Sequence, residues 1–190
     1  MKKIYWLISG LILLVLDAIS KLYIHKNFEL GESKNILGEF FKITYIRNTG
    51  IAFGMFQEFG EIFSYIIPLA IIILLFIFYK TENKNLLIKL AFLGIITGAF
   101  GNFIDRIFYG YVVDFIDIDF FNISIAPFKI LGIEFSGYYL DRWPAFNLAD
   151  SLISCGVVLL CIDTMLDFKD SEEKDTDAKS KEDKNVSDNI

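Results

Sequence analysis

A chain of 190 residues that is 54% hydrophobic carries more apolar surface than one soluble core of this length can hide, so an ordinary soluble domain is excluded and lipid must cover the excess. The mean hydropathy of +0.49 agrees with that. Asp and Glu total 24 against 18 Lys and Arg, but much of the acidity falls in the last two dozen residues, so the net charge of -6 describes a tail rather than an active surface.

Taken in order, the chain opens with Lys2 and Lys3 ahead of an apolar run that imitates a secretory signal; no small-residue cleavage site follows, and residues 4–23 are expected as an uncleaved first span. Further runs at 62–79, 86–108 and 146–166 approach the roughly 20 residues that a bilayer core requires of a helix. The predicted fold class is an all-α polytopic membrane protein of about four spans with a small extracytoplasmic β-rich subdomain. Lys80, Lys84 and Lys89 at the short link, with Lys2 and Lys3, orient that link and both termini toward the cytoplasm. The loops at 25–60 and 109–145 are then extracytoplasmic. In the first, residues 40–46 have the β-branched and aromatic content of a strand, and Asn48-Thr49-Gly50 supplies a turn. The second mixes aromatic and acidic residues with Pro127, Gly132 and Gly137, which predicts irregular or short-strand structure. Residues 1–166 form one membrane-embedded domain without repeats, and 167–190 read as an acidic, disordered cytoplasmic tail. Cys155 and Cys161 lie on different faces of one helix, which makes a disulfide between them implausible.

Charge inside a span costs about 2.5–3.5 kcal/mol at the helix centre on insertion scales, so each such residue is a functional candidate. Asp17 and Lys21 come late in span one, Asn102, Asp105 and Arg106 late in span three, and Asn147 and Asp150 early in span four. Successive spans reverse direction, so all of them reach one face, and Asp114 lies just beyond span three on the same side. Other readings exist: an i,i+4 ion pair for Asp17 and Lys21, snorkelling for Arg106, and a helix-end partner for Asp105. Asp150 resists such a reading, because it interrupts an apolar run one turn after Asn147. Gly94, Gly98 and Gly101 allow close helix approach. Phe53, Phe56, Trp143 and Phe146 flank the polar group.

With His25 as the single histidine, neither a His-Glu-x-x-His zinc site nor a supported Ser–His arrangement is available. Carboxylates remain. Two of them in a poorly hydrated site cannot both ionise easily, so one holds a proton while the other activates water, as in aspartic proteases. Spacing alone leaves the pair open among Asp17, Asp105, Asp114 and Asp150. A transporter pathway and a docking scaffold are rival readings, the first disfavoured because the cytoplasmic halves of spans two to four are nearly bare of charge.

Four segments, Asp17-Ala18-Ile19-Ser20-Lys21, Arg47-Asn48-Thr49-Gly50-Ile51-Ala52-Phe53-Gly54, Gly98-Ala99-Phe100-Gly101-Asn102-Phe103-Ile104-Asp105-Arg106 continuing to Val112-Val113-Asp114-Phe115, and Trp143-Pro144-Ala145-Phe146-Asn147-Leu148-Ala149-Asp150, stand in an order that resembles the lipoprotein signal peptidase (signal peptidase II) family. The likeness spans nearly all of residues 4–166. It implies Asp114 and Asp150 as the catalytic dyad, Asn102 and Asn147 as hydrogen-bonding neighbours, and positioning roles for Asp17, Lys21, Asn48, Gly50, Asp105 and Arg106. It further implies an enzyme of the bacterial cytoplasmic membrane, acting at its outer face on prolipoproteins and cleaving on the N-terminal side of a diacylglyceryl-modified cysteine. No metal or organic cofactor and no nucleic acid are expected, membrane lipids are partners, and a monomer is expected. The chain departs from the family in an apparent insertion around residues 120–141 and in Thr97, where glycine or alanine is expected.

Overall fold

The computed structural model describes residues 3–50, 60–80, 85–120, 123–130, 133–135, 138–140 and 142–187. Four helices carry the fold: α1 (Lys3–Asn27), α2 (Gly60–Lys80), α3 (Leu86–Tyr109) and α4 (Leu148–Ser187). Among the described residues, three stretches are long and apolar enough to cross a bilayer, Ile4–Asn27, Leu86–Tyr109 and Leu148–Phe168, with a shorter apolar run at Ile66–Lys80. Leu7, Leu11, Ile72, Phe76, Val158 and Met165 point outward, which in water would be a large exposed patch and in lipid is ordinary contact. The protein is thus an integral membrane protein.

Caps set the limits of α3. Asn85 accepts the Ile88 N–H at its start, and Gly110 closes its end in the left-handed conformation, φ 75°, donating its N–H to the Arg106 carbonyl over 3.0 Å. Small residues on α3 bring α4 into backbone contact. A Cβ on Gly94 would lie 2.8 Å from the Leu152 carbonyl oxygen, and one on Gly156 would lie 2.6 Å from that of Ala91. Thr97 occupies its unexpected place opposite Gly10 of α1, where a Cβ would come within 3.3 Å of the Thr97 hydroxyl. A glycine on the neighbouring helix thus makes room for the larger side chain.

A three-stranded antiparallel sheet, β1 (Ser33–Leu37), β2 (Phe41–Asn48) and β3 (Val112–Ile118) in that order, stands against one end of α1 and α3. Its register pairs Arg47 with Val113 and Asn48 with Val112, and slips between Ile43 and Ile46. Ile24 at the end of α1 packs with Tyr45, Val113 and Phe115, so an apolar cluster joins helix to sheet. On the other edge of β3 the chain returns toward α4: Ile116 and Phe146 exchange backbone hydrogen bonds of 2.7 and 3.0 Å, and Trp143 donates to the Ile118 carbonyl at 3.2 Å. The expected strand at 40–46 is β2, displaced by one or two residues.

The described residues between 123 and 140 form two short antiparallel strand pairs. β4 (Ile123–Ile125) pairs with β7 (Tyr138–Leu140), and β5 (Phe128–Ile130) pairs with β6 (Ile133–Phe135) in the same register. Pro127, which has no N–H to give, sits where the ladder is interrupted. Arg142 donates to Asp117 (2.7 Å), to Asp119 (3.3 Å) and to the Glu39 carbonyl (2.8 Å).

One expectation is corrected. The tail read as disordered from residue 167 continues α4 as helical backbone to Ser187.

Candidate active site

The nine polar residues singled out from the sequence, with the backbone of Gly50, form one hydrogen-bonded network. Its lower layer is an ion cluster around Lys21, 2% exposed, whose ammonium reaches Asp17 (2.8 Å), Asp105 (3.2 Å) and the side-chain oxygen of Asn102 (2.9 Å). Three donors meet three acceptors. Each carboxylate takes a further backbone donor: Asp17 accepts the Ala149 N–H at 2.9 Å, and Asp105 accepts the Val113 N–H at 3.2 Å. The i,i+4 pair foreseen for Asp17 and Lys21 does form, but as part of a buried cluster that ties α1 to α3, α4 and β3. Gly101 makes room for it, since a Cβ there would lie 2.5 Å from an Asp17 oxygen.

The upper layer holds the two carboxylates of Asp114 and Asp150. Asp114 projects from β3, where Asn147 donates to one of its oxygens (2.8 Å) and Asn48 to the other (2.9 Å). Asp150 lies in the first turn of α4, and Asn147 caps that helix: Asn147 Oδ1 accepts the Asp150 N–H (2.9 Å), while an Asp150 oxygen accepts the Asn147 N–H (3.1 Å). This is a reciprocal capping box, which explains why an acid can stand at the head of a lipid-phase helix. Asn102 joins the layers. Its amide nitrogen donates to Asp150 (2.7 Å), and its oxygen accepts from both Lys21 and Asn147 (3.1 Å).

Arg106 does not snorkel. One guanidinium nitrogen donates to the Gly50 carbonyl (2.7 Å) and another to the Asn102 carbonyl (3.1 Å), while the Gly50 N–H donates to Asn48 Oδ1 (2.9 Å). The turn at 48–50 is therefore clamped from α3. Phe53 and Phe56, expected beside the cluster, lie outside the described residues.

Burial, and after it the neighbouring charge of Asp150, push the Asp114 carboxyl from its ordinary 3.8 up to about 7; the bonds from Asn48 and Asn147 and the charge of Lys21 pull the other way. The shift favours the protonated form of Asp114 well above the pH at which a free carboxyl ionises.

Sequence reasoning overlooked the backbone donors of Val113 and Ala149, which carry no side-chain signal. It also passed over Asp163, 5% exposed near the end of the apolar stretch of α4, which accepts a hydrogen bond from Asn85. Its signal was available, as an acid inside an apolar run.

An apolar helical frame, a small sheet on one end and paired carboxylates under a shared amide define a membrane-embedded enzyme. Residues 9–166 match the family model described as signal peptidase (SPase) II. The lipoprotein signal peptidase of Moorella thermoacetica is 35% identical over 161 residues, 85% of this chain and 93% of that protein. That of Wigglesworthia glossinidia brevipalpis is 42% identical over 150 residues, 77% and 84% of the two. A solved structure described as a bacterial membrane enzyme superposes with a TM-score of 0.66 at 28% identity, covering 86% of this chain and 89% of its own. The chain belongs to the signal peptidase II family, a family of membrane proteases.

Proposed function

We propose that the chain is an intramembrane aspartyl endopeptidase that removes the signal peptides of bacterial prolipoproteins, cleaving on the N-terminal side of the diacylglyceryl-modified cysteine. The observation that carries this reading is that Asn147 holds both carboxylates, Asp114 through its side-chain amide and Asp150 through its backbone N–H.

In this mechanism the Asp150 carboxylate takes a proton from a water molecule, whose oxygen attacks the scissile carbonyl carbon. Protonated Asp114 donates a hydrogen bond to the carbonyl oxygen and stabilises the negative charge that develops there. Collapse of the tetrahedral intermediate breaks the C–N bond, and the proton held by Asp150 passes to the departing cysteine nitrogen. The two acids titrate as a unit, because each charge opposes the other. Asn102 and Asn147 hold the carboxylates, the Asn48–Gly50 turn clamped by Arg106 borders the path of the peptide, and Asp17, Lys21 and Asp105 fix the floor. Metal and organic cofactor play no part, and the enzyme acts as a monomer among membrane lipids.

In the membrane the chain has four spans with both termini in the cytoplasm and the dyad near the outer face of the cytoplasmic membrane. Lys80, Lys84 and Lys89 support that orientation. A diacylglyceryl chain then stays in the outer leaflet while the peptide bond meets the carboxylates.

The test is a gel-shift assay with a diacylglyceryl-modified prolipoprotein, run in detergent with a chelator present. Cleavage by wild type, with folded Asp114→Asn and Asp150→Asn reduced by about 10⁴-fold or more, is the expected result. Turnover near wild type in either variant removes that residue from the dyad.

A further inference from the structure

Asp163 is a buried carboxylate that the mechanism above does not use. A carboxylate in a lipid-phase helix is costly and calls for a partner, and Asn85 supplies one by donating its side-chain N–H to Asp163 Oδ1. The other end of that amide is engaged as well, for Asn85 Oδ1 accepts the Ile88 N–H at 3.0 Å and caps α3. One amide thus bonds its own helix with its oxygen and the neighbouring helix with its nitrogen. At a rise of about 1.5 Å per residue, this contact lies roughly 20 Å along α4 from Asp150.

Between the two points the helices are closely packed. Gly94, Gly98 and Gly156 bring α3 and α4 into backbone contact, and the Ile153 and Ile95 side chains sit where Gly98 and Gly156 leave room. Directional bonds add to this packing at the two ends of the seam, Asn102 with Asp150 at one and Asn85 with Asp163 at the other.

We propose that Asn85 and Asp163 are a positioning pair that sets the register of α3 against α4 and so aligns Asn102 and Asp150 at the far end of the seam. The role rests on the reading of Asp114 and Asp150 as the catalytic dyad. Neither residue touches substrate.

Three variants test it in the same cleavage assay. Asp163→Leu removes the acceptor; Asn85→Ser keeps a capping hydroxyl for α3 but cannot span to α4; Asp163→Asn keeps an oxygen for the Asn85 amide. Asp163→Leu and Asn85→Ser are expected to lower kcat by about 10- to 100-fold, the scale of a misplacement near 1 Å, with KM unchanged, while Asp163→Asn stays near wild type. The pH profile separates this from poor folding. A smaller folded fraction scales kcat equally at every pH, whereas a slipped seam moves Asp150 relative to Asp114 and displaces the alkaline limb. Wild-type kcat in Asp163→Leu, an equal loss in Asp163→Asn, or an unmoved limb overturns the positioning role. A wild type that leaves substrate intact, or an active Asp150→Asn, overturns the dyad and this role with it.

Discussion

The Lys21 ammonium donates to the Asn102 side-chain oxygen over 2.9 Å, and the nitrogen of the same amide donates to Asp150 over 2.7 Å. A lysine buried among the helices thereby orients the amide that holds one of the two upper carboxylates. Its charge also faces Asp17 and Asp105 in a space that water does not reach.

Replacing Lys21 by Met leaves two buried carboxylates without their shared cation. Breaking a buried pair by removing one partner costs about 3–5 kcal/mol, so Lys21→Met is expected to lower the thermal unfolding midpoint in detergent sharply and to abolish cleavage. Lys21→Arg is expected to fail as well, because a planar fork does not match three acceptors gathered around one nitrogen. A Lys21→Met variant as stable as wild type contradicts the ion cluster.

For Asp114, with a carboxyl pushed up to about 7, cleavage that requires its proton is lost as pH rises through that value. The sign for stability is the same. The folded chain keeps a proton that the unfolded chain has released above 3.8, so this group favours folding at low pH and its contribution is lost as pH climbs from about 4 to about 7. In Asp150→Asn the second cause of the elevation is gone, and the Asp114 carboxyl is expected to titrate lower. Carboxylate infrared bands, followed against pH in wild type and variant, measure both values, and an unchanged titration in Asp150→Asn contradicts the coupling.

Gly101→Ala places a methyl group 2.5 Å from an Asp17 oxygen and 3.4 Å from the Ala149 side chain. Overpacking of this kind costs about 1–3 kcal/mol, and here it also presses on the ion cluster. The expected result is a lower unfolding midpoint together with reduced kcat. Gly38→Ala, where nothing stands within 4 Å but φ is 54°, controls for backbone strain away from the site.

Arg106→Lys retains the charge but can span only one of the two carbonyls, Gly50 and Asn102, that the guanidinium bridges. Loosening the 48–50 turn frees Asn48, which donates to Asp114. Cleavage is expected to fall by about tenfold or more, with a midpoint within a few degrees of wild type, since a hydrogen bond to a charged group contributes only about 1.5–3 kcal/mol. Full activity in Arg106→Lys removes the clamp from the mechanism.

Composition and hydropathy by themselves determined that the chain belongs in a membrane, and alternation of span direction determined that Asp17, Lys21, Asn102, Asp105, Arg106, Asn147 and Asp150 reach one end of the bundle. These are consequences of solvent and of helix length, which act on every residue regardless of its neighbours. The glycines of α3 announced close packing for the same reason, as the lack of a side chain is a local property. Motif order carried Asn48, Gly50 and Asp114 into the same site. What the residues could not state was who bonds to whom. Only the fold decided that Asn147 serves both carboxylates, that Lys21 shares itself among three partners, and that Arg106 turns inward to Gly50, because the bonds from Asn147 to Asp114, from Lys21 to Asn102 and Asp105, and from Arg106 to Gly50 join segments distant in sequence. The tail ran the other way: low hydrophobicity suggested no structure, and helical backbone continues from α4 as far as Ser187.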